Sequence, residues 1–150
     1  GTPISDLPKT FRDAILVAKK CNIRYLWIDS LCIFQDNLED WHVEAGHMRE
    51  IYGGAACCIA VTAGENSSVG CFFDRDPQTS QPFLVEVSGS QHADDPGLPL
   101  PGTYWCSLNW ISPFNAIESA PLNQRAWVAQ ERYLSRRVMH FANDALFWEC

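Results

Sequence analysis

Five acids fall within one short stretch of the chain, Asp29, Asp36, Glu39, Asp40 and Glu44, and all but Glu39 stand where they could do chemistry. The first closes the apolar run Tyr25-Leu26-Trp27-Ile28, and parallel sheets place ligand sites outside the carboxyl ends of such strands. Carboxylates there can hold sugar hydroxyls or stabilise a cationic centre, provided that they are shielded from bulk water. Glu44 is the leading candidate. At about 100° per residue, Leu38, Trp41, Ala45, Met48, Ile51 and Tyr52 share one helical stripe. Glu44 falls inside that stripe, whereas Glu39 and Glu50 fall opposite it. A carboxylate aimed at a core must be paired, hydrogen-bonded or held in a cleft with a raised pKa. Glu44 therefore reads as a catalytic or ligand-gripping acid, as half of a structural ion pair with Arg125, or as a stripe-edge acid that reaches water.

Asp29 either orients a ligand hydroxyl or caps its own loop by accepting the amides of Leu31 and Cys32. Asp36 and Asp40 suit the N-terminus of the next helix, where acids oppose the helix dipole, with substrate contact as the second reading for Asp36. A second polar group, Arg125, Gln130 and Glu131, sits in an aromatic frame with Trp127 and Leu134. Trp127, Gln130 and Leu134 share one helical face, so Gln130 is expected to be half-buried and in need of partners. Arg125 and Gln130 can converge with the acids as substrate-binding groups, or they can form a polar network that fixes the fold.

Other chemistries find little support. There is no Gly-x-Ser-x-Gly elbow, and Cys32 has no evident base. His42 and His47 are five residues apart, on different helical faces, and no cysteine or histidine spacing suits zinc, so no metal is expected. Gly53-Gly54 ends a helix rather than cradling phosphate, which leaves nucleoside triphosphate hydrolysis unsupported.

These residues need elements to position them. The 150 residues are 47% hydrophobic and 19% charged, enough for one globular domain with a real core. Thr10 to Asp13 resembles a capping box opening a helix to Cys21, with Phe11, Ala14, Ile15, Ala18 and Cys21 inward, Arg12, Asp13, Lys19 and Lys20 wet, and Asn22 as the stop. Tyr25–Ile28 reads as a buried strand, Leu38–Tyr52 as a helix, and Ala55–Thr62 as the next buried strand. Gly64 to Gln81 is turn-rich, Phe83–Val87 alternates like a strand, and Ser88 to Gly102 reads as a variable loop. A helical stretch follows Pro121. Val138–Phe141 and Ala145–Trp148 flank Asn143-Asp144 as a terminal hairpin. The fold class is α/β: a parallel-sheet core with flanking helices and a C-terminal antiparallel hairpin.

A net charge of −7 argues against nucleic acid as a partner. Arg132, Arg136 and Arg137 read first as a solvated helix end, and second as a cluster that meets a phosphate or a carboxylate. No apolar run approaches the roughly 20 residues of a membrane span. The seven cysteines lie mostly in apolar strings and read as small buried hydrophobes in a reducing, cytoplasmic setting.

The run from Tyr25 to Asp36 (Tyr-Leu-Trp-Ile-Asp-Ser-Leu-Cys-Ile, then Gln-Asp), followed by Asp40-Trp41 and Glu44, resembles the heterokaryon-incompatibility domain of filamentous fungi. A second block agrees: Arg125-Ala126-Trp127, Gln130-Glu131 and Leu134-Ser135-Arg136-Arg137 resemble the family's Arg-Gly-Trp, Gln-Glu and Leu-Ser-x-Arg signature. Met48, Ile51-Tyr52 and Ala55 keep its internal spacing, and Trp148-Glu149-Cys150 resembles its closing Trp-Glu-Cys. Ala126 replaces the usual Gly. Family members normally begin with a strand ending in a Ser-Tyr-x-Trp-Gly-like segment, and none precedes Leu7. The chain is therefore read as one domain over residues 1–150, truncated at its N-terminus, with a variable middle at residues 77–121.

The resemblance implies a cytosolic cell-death effector of fungal non-self recognition. Its partners would be other domains of the same polypeptide, incompatibility partner proteins, and further copies in a homo-oligomer. The family has been likened remotely to Toll/interleukin-1 receptor domains, several of which cleave NAD with one glutamate. Trp41 and Glu44 resemble the Trp-Cys-x-x-Glu motif of those domains, at a spacing one residue shorter. In that reading Glu44 is the catalytic acid, Asp29 assists, Asp36, Trp41, Arg125 and Gln130 bind substrate, and NAD is a substrate rather than a cofactor. The alternative is a non-catalytic module that signals by self-association.

Overall fold

Helix α1 (Lys9–Lys20) starts after Pro8, whose fixed φ suits a helix start, and no side chain caps it. Thr10 and Asp13 serve a distant loop instead of a capping box. Thr10 Oγ1 accepts the Gly70 amide at 3.0 Å, and the Asp13 carboxylate accepts the Cys71 amide at 2.9 Å and the Lys9 ammonium at 3.3 Å. Fully partnered, Asp13 is buried, where periodicity predicts a wet residue. Gly70 sits at φ 89°, and a Cβ there would strike Lys9 and Asp13, so this clasp requires glycine. At the other end Asn22 adopts φ 56°. The Ile23 amide reaches Ala18 O at 2.8 Å and the Asn22 amide reaches Lys19 O at 3.1 Å, the paired bonds of a Schellman stop at the expected residue. Cys21, expected inside, is exposed.

The computed structural model describes residues 2–76, 81–88, 101–106 and 113–150. Most of the expected variable loop, residues 89–100, lies outside the described residues, as do residues 77–80 and 107–112 of the variable middle.

After α1, Tyr25–Ile28 belongs to no ladder among the described residues, with Ile28 extended, which corrects the expectation of a buried sheet strand. Tyr25 is 81% exposed beneath the Arg24 guanidinium, 5.5 Å from its ring centre. A single turn, α2 (Asp29–Cys32), leads to α3 (Leu38–Gly54). Asn37 caps α3 by accepting the amides of Glu39 at 3.0 Å and Asp40 at 3.2 Å. The Asp40 carboxylate accepts the Phe34 amide at 2.9 Å, and Gly53-Gly54 forms the last turn rather than the stop. No residue of α3 is fully buried, because its apolar stripe borders clefts instead of a closed core.

Strand β1 (Cys58–Ala60), shorter than expected, pairs in parallel with β4 (Val138–Phe141), which pairs antiparallel with β5 (Leu146–Glu149). The spatial order is β1-β4-β5. The α/β assignment and the terminal hairpin hold, and β1–β4 is the parallel pair among the described residues. Strands β2 (Phe83–Val87) and β3 (Gly102–Cys106) form a separate antiparallel pair. Strand β2 stands where alternation places it, whereas β3 lies beyond the loop that the sequence reading ended at Gly102. Helices α4 (Pro113–Glu118) and α5 (Ala126–Leu134) complete the fold.

The core is a cluster of Val17, Val61, Cys71 and Phe141, with Ile59, Phe73 and Met139 packed on it. Phe72 meets Phe141 edge-on at 6.2 Å. The Arg75 guanidinium fastens the hairpin by donating to Ala142 O at 2.8 Å and Asn143 O at 3.1 Å.

A polar chain spans the sheet beside this core. The wholly buried Thr62 hydroxyl lies 3.0 Å from His140 Nδ1, and His140 Nε2 lies 2.9 Å from Glu149 Oε2. A carboxylate only accepts, so Glu149 fixes the proton on His140 Nε2. Arg132 clasps Glu149 through two bonds of 2.7 and 2.9 Å and donates to Glu118 at 2.7 Å. The solvated-helix-end reading is thus corrected for Arg132, whose charge is spent on two carboxylates. Arg132 and then His140 hold the Glu149 carboxyl below its ordinary range against an opposing effect of burial. A carboxyl depressed in the fold stabilises above its unfolded pKa, and that contribution is lost as pH falls through the folded value. Glu149→Ala is expected to cost about 2 kcal/mol at neutral pH, limited by the partial exposure of the pair. It should also flatten the loss of thermal midpoint on acidification below the ordinary glutamate range. Calorimetry from neutral to acid pH checks both.

Candidate functional site

Two clefts meet at one pair of acids. The larger, about 670 Å³, runs between Tyr25–Ile28 and β1, floored by α1 and walled by the end of α3. The smaller, about 120 Å³, lies between α3 and α5. Asp29 and Glu131 line both. Asp29 arrives at the end of the extended segment, where its carboxylate accepts the Ser30 amide at 2.7 Å. That is the loop-capping role in part, through Ser30 rather than Leu31 and Cys32. Glu131 comes from the inner face of α5, one residue before the Arg132 clasp.

Glu131 is the electrostatic centre of the site. Burial raises its pKa, and the Asp29 charge raises it further, whereas the Tyr52 hydroxyl hydrogen bond and the Arg125 charge pull it down. Tyr52 is held protonated in turn, by burial first and then by the negative field of Glu131. Tyr52 therefore keeps its hydroxyl proton at any physiological pH. The arrangement is a desolvated carboxyl beside an exposed one, with a single guanidinium nearby, and environments that push two carboxyl pKa values apart are a recurrent basis for acid–base assignment. Aromatic edges flank it: Trp27 meets Tyr52 at 5.8 Å and Trp41 meets Trp127 at 6.2 Å. Cys58, on the large cleft, has its thiol pushed up to about 11 by burial, which keeps it protonated and poorly nucleophilic at neutral pH.

Of the residues singled out in the sequence, Asp29, Trp41, Arg125 and Gln130 converge on the small cleft. Gln130 is exposed rather than half-buried. Asp36 is exposed on the loop before α3 and lines neither cleft. Glu44 lines neither as well; its side chain, 28% exposed, lies 3.9 Å from His47 Nδ1, one helical turn on. The contact of Glu44 is thus local, with His47, and no ion pair with Arg125 forms. The stripe places Glu44 between Met48 and Ile51 but cannot say which residues of that face line a cleft: Trp41, Ala45 and Met48 do, and half-buried Glu44 does not. Glu131 and Tyr52 were in view, Glu131 in the polar group and Tyr52 as an apolar stripe residue. Their pairing joins α3 to α5, a contact that helical periodicity does not encode. Among the described residues no group of three metal-binding side chains comes together.

The molecule is thus a mixed α/β domain with an acidic, aromatic-edged cleft beside β1. Its particular family follows from comparison: the family model for heterokaryon incompatibility protein (HET) matches residues 1–131. The chain belongs to this fungal heterokaryon incompatibility family. No curated protein and no solved structure matches it. No helix among the described residues is long and apolar enough to cross a membrane.

Proposed function

We propose that this domain is a cell-death effector of fungal non-self recognition that acts by cleaving NAD at the nicotinamide–ribose bond, with Glu131 as the principal acid and Asp29 as its assistant. The observation that carries this reading is the meeting of Asp29 and desolvated Glu131 at a cleft of about 670 Å³, within the range of small-molecule sites. In the reaction the C1′–nicotinamide bond breaks with its electron pair leaving on nicotinamide. Water adds to the ribose carbon and gives up a proton, and the products are nicotinamide and ADP-ribose. An ionised carboxylate stabilises the oxocarbenium-like centre and can accept that proton, while Asp29 holds ribose hydroxyls. Trp27 and Trp41 offer aromatic surface to the planar bases, and Arg125 offers charge to the pyrophosphate. Glu131 thereby takes the role that the helical stripe and the motif resemblance of Trp41 and Glu44 give to Glu44. A cytosolic setting suits the seven free cysteines.

The test is NAD consumption by the domain in a forced oligomer, with Glu131→Gln and Glu44→Gln run in parallel. Turnover that survives Glu131→Gln but not Glu44→Gln returns the role to Glu44. Folded, oligomeric protein without turnover favours the second reading, a self-association module. That reading has its own support in exposed Phe34, Leu38 and Trp127, with Trp41 against Trp127.

Arg125→Gln separates these further. Removing a charge that lowers the Glu131 pKa should move the acid limb of the pH–rate profile to higher pH. A limb that stays in place would detach Arg125 from the chemistry.

A further inference from the structure

Five of the 11 lysines and arginines of this acidic chain gather at one end of the molecule: Lys19, Lys20, Arg24, Arg136 and Arg137. Three helices finish there. Helix α1 ends at Lys20, α3 at Gly54 and α5 at Leu134, and a Cβ on Gly53 would lie 3.7 Å from Leu134 O. Arg137 donates to Ala56 O at 3.4 Å, and Ala18, Ile23 and Tyr25 line the large cleft together with Gly54, Ala55 and Ala56. Burial and Cys21 raise the Cys57 thiol while the Arg137 charge lowers it, so the end of α1 and Arg137 are both neighbours of Cys57. All five bases are exposed, and none meets a carboxylate among the described residues. The helix dipole accounts for Lys19 and Lys20 in the last turn of α1. It does not account for Arg24, Arg136 and Arg137, which lie beyond the helix ends. Two tyrosines share this end: Tyr25, 81% exposed beneath Arg24, and Tyr133, 89% exposed in the last turn of α5.

We infer that this end of the domain docks on an anionic lipid bilayer. Charge complementarity selects the surface and its orientation. The chain carries −7 overall, so with five bases collected here the rest of the molecule is more acidic still, and a negative membrane attracts this end and repels the others. None of the five bases lines either cleft, so the array is a face and not a pocket that grips one small anion. An acidic peptide offers the same charge. The two exposed tyrosines select the bilayer, because their amphipathic rings suit the boundary between headgroups and acyl chains. Each base near such a surface changes the partition about fivefold, so five together supply roughly a thousandfold or more, a reversible contact that needs no membrane-spanning helix. In this orientation Asp36, Glu39 and Asp40, at the other end of the 17-residue α3 and about 25 Å away, stay clear of the lipid.

Co-sedimentation of the 150-residue chain with phosphatidylcholine vesicles, plain or containing about a quarter phosphatidylserine, tests the inference. Binding should require the anionic lipid and weaken steeply as salt rises. Lys20→Glu should lower the partition about tenfold, and Lys20→Glu with Arg136→Glu about 100-fold. Arg12→Glu makes the same charge change about 12 Å back along α1 and should stay within about twofold of the parent. All three positions are exposed, so the thermal midpoint should not move. No binding, or equal binding to plain and anionic vesicles, overturns the inference. So does an equal loss in Arg12→Glu and Lys20→Glu, which would mark a diffuse effect of net charge. Tighter binding to polyglutamate than to the anionic vesicles overturns it as well, since an acidic protein would then be the occupant.

Discussion

Glu131→Gln is expected to lower NAD turnover about a thousandfold or more while leaving the thermal midpoint unchanged or raised. A thousandfold loss corresponds to about 4 kcal/mol of transition-state stabilisation, in the range for a preorganised group acting on developing charge. The stability half follows from the sign of the shift. The Glu131 carboxyl is raised in the fold, so between its unfolded and folded pKa values the native state holds the extra proton and stability falls as pH rises. Above both values the ionised carboxylate opposes folding. Gln removes that charge, keeps an oxygen for the Tyr52 hydroxyl and has nearly the same volume. A purely structural acid would show the reverse pattern, stability lost with no specific effect on chemistry. Initial rates and calorimetry on one preparation decide between them.

Phe141→Ala should cost about 3–5 kcal/mol, a large part of the 5–15 kcal/mol typical of a whole domain. For a chain of this size that is a fall of roughly 10 °C or more in thermal midpoint. Phe141 ends β4 and touches the groups that close the core: Val17 from α1, Val61 beyond β1, and Cys71 and Phe72 from the clasp loop. Truncation leaves a cavity walled by separate elements, none of which can collapse into it without breaking the Asp13–Cys71 bond or the sheet register. Denaturant unfolding measures the loss. A cost under about 1 kcal/mol would show that the cluster repacks and does not organise the fold.

The features legible in the sequence are those written by local chemistry. Asn22 ends its helix where a residue tolerant of positive φ is needed, and the terminal hairpin keeps its place around Asn143-Asp144. Periodicity points to α3 and to Gln130, whereas the end of an apolar run points to Asp29, the family resemblance to Trp41 and the second polar group to Arg125, and all four line one cleft. Long-range pairing was not legible. Asp13 reads as a surface residue until the loop at Gly70 and Cys71 folds over it, and Arg132 reads as a solvated end until β5 brings Glu149 across. Glu44 illustrates the limit of a helical wheel. It predicts which residues share a face but not which part of that face a neighbouring helix covers, and at α3 the coverage comes from α5 around Glu131.

The pairing of β1 with β4 separates two boundaries along the chain. The family match ends at residue 131, yet the ladder partner of Cys58–Ala60 is Val138–His140, and the acceptor that anchors Arg132 is Glu149. A polypeptide stopped at residue 131 would keep every acid of the cleft while leaving β1 a lone strand, with Val17 and Val61 facing the space that Phe141 fills. The stretch that the family model matches is therefore shorter than what must fold together. The last nineteen residues supply the rigidity on which the matched stretch depends.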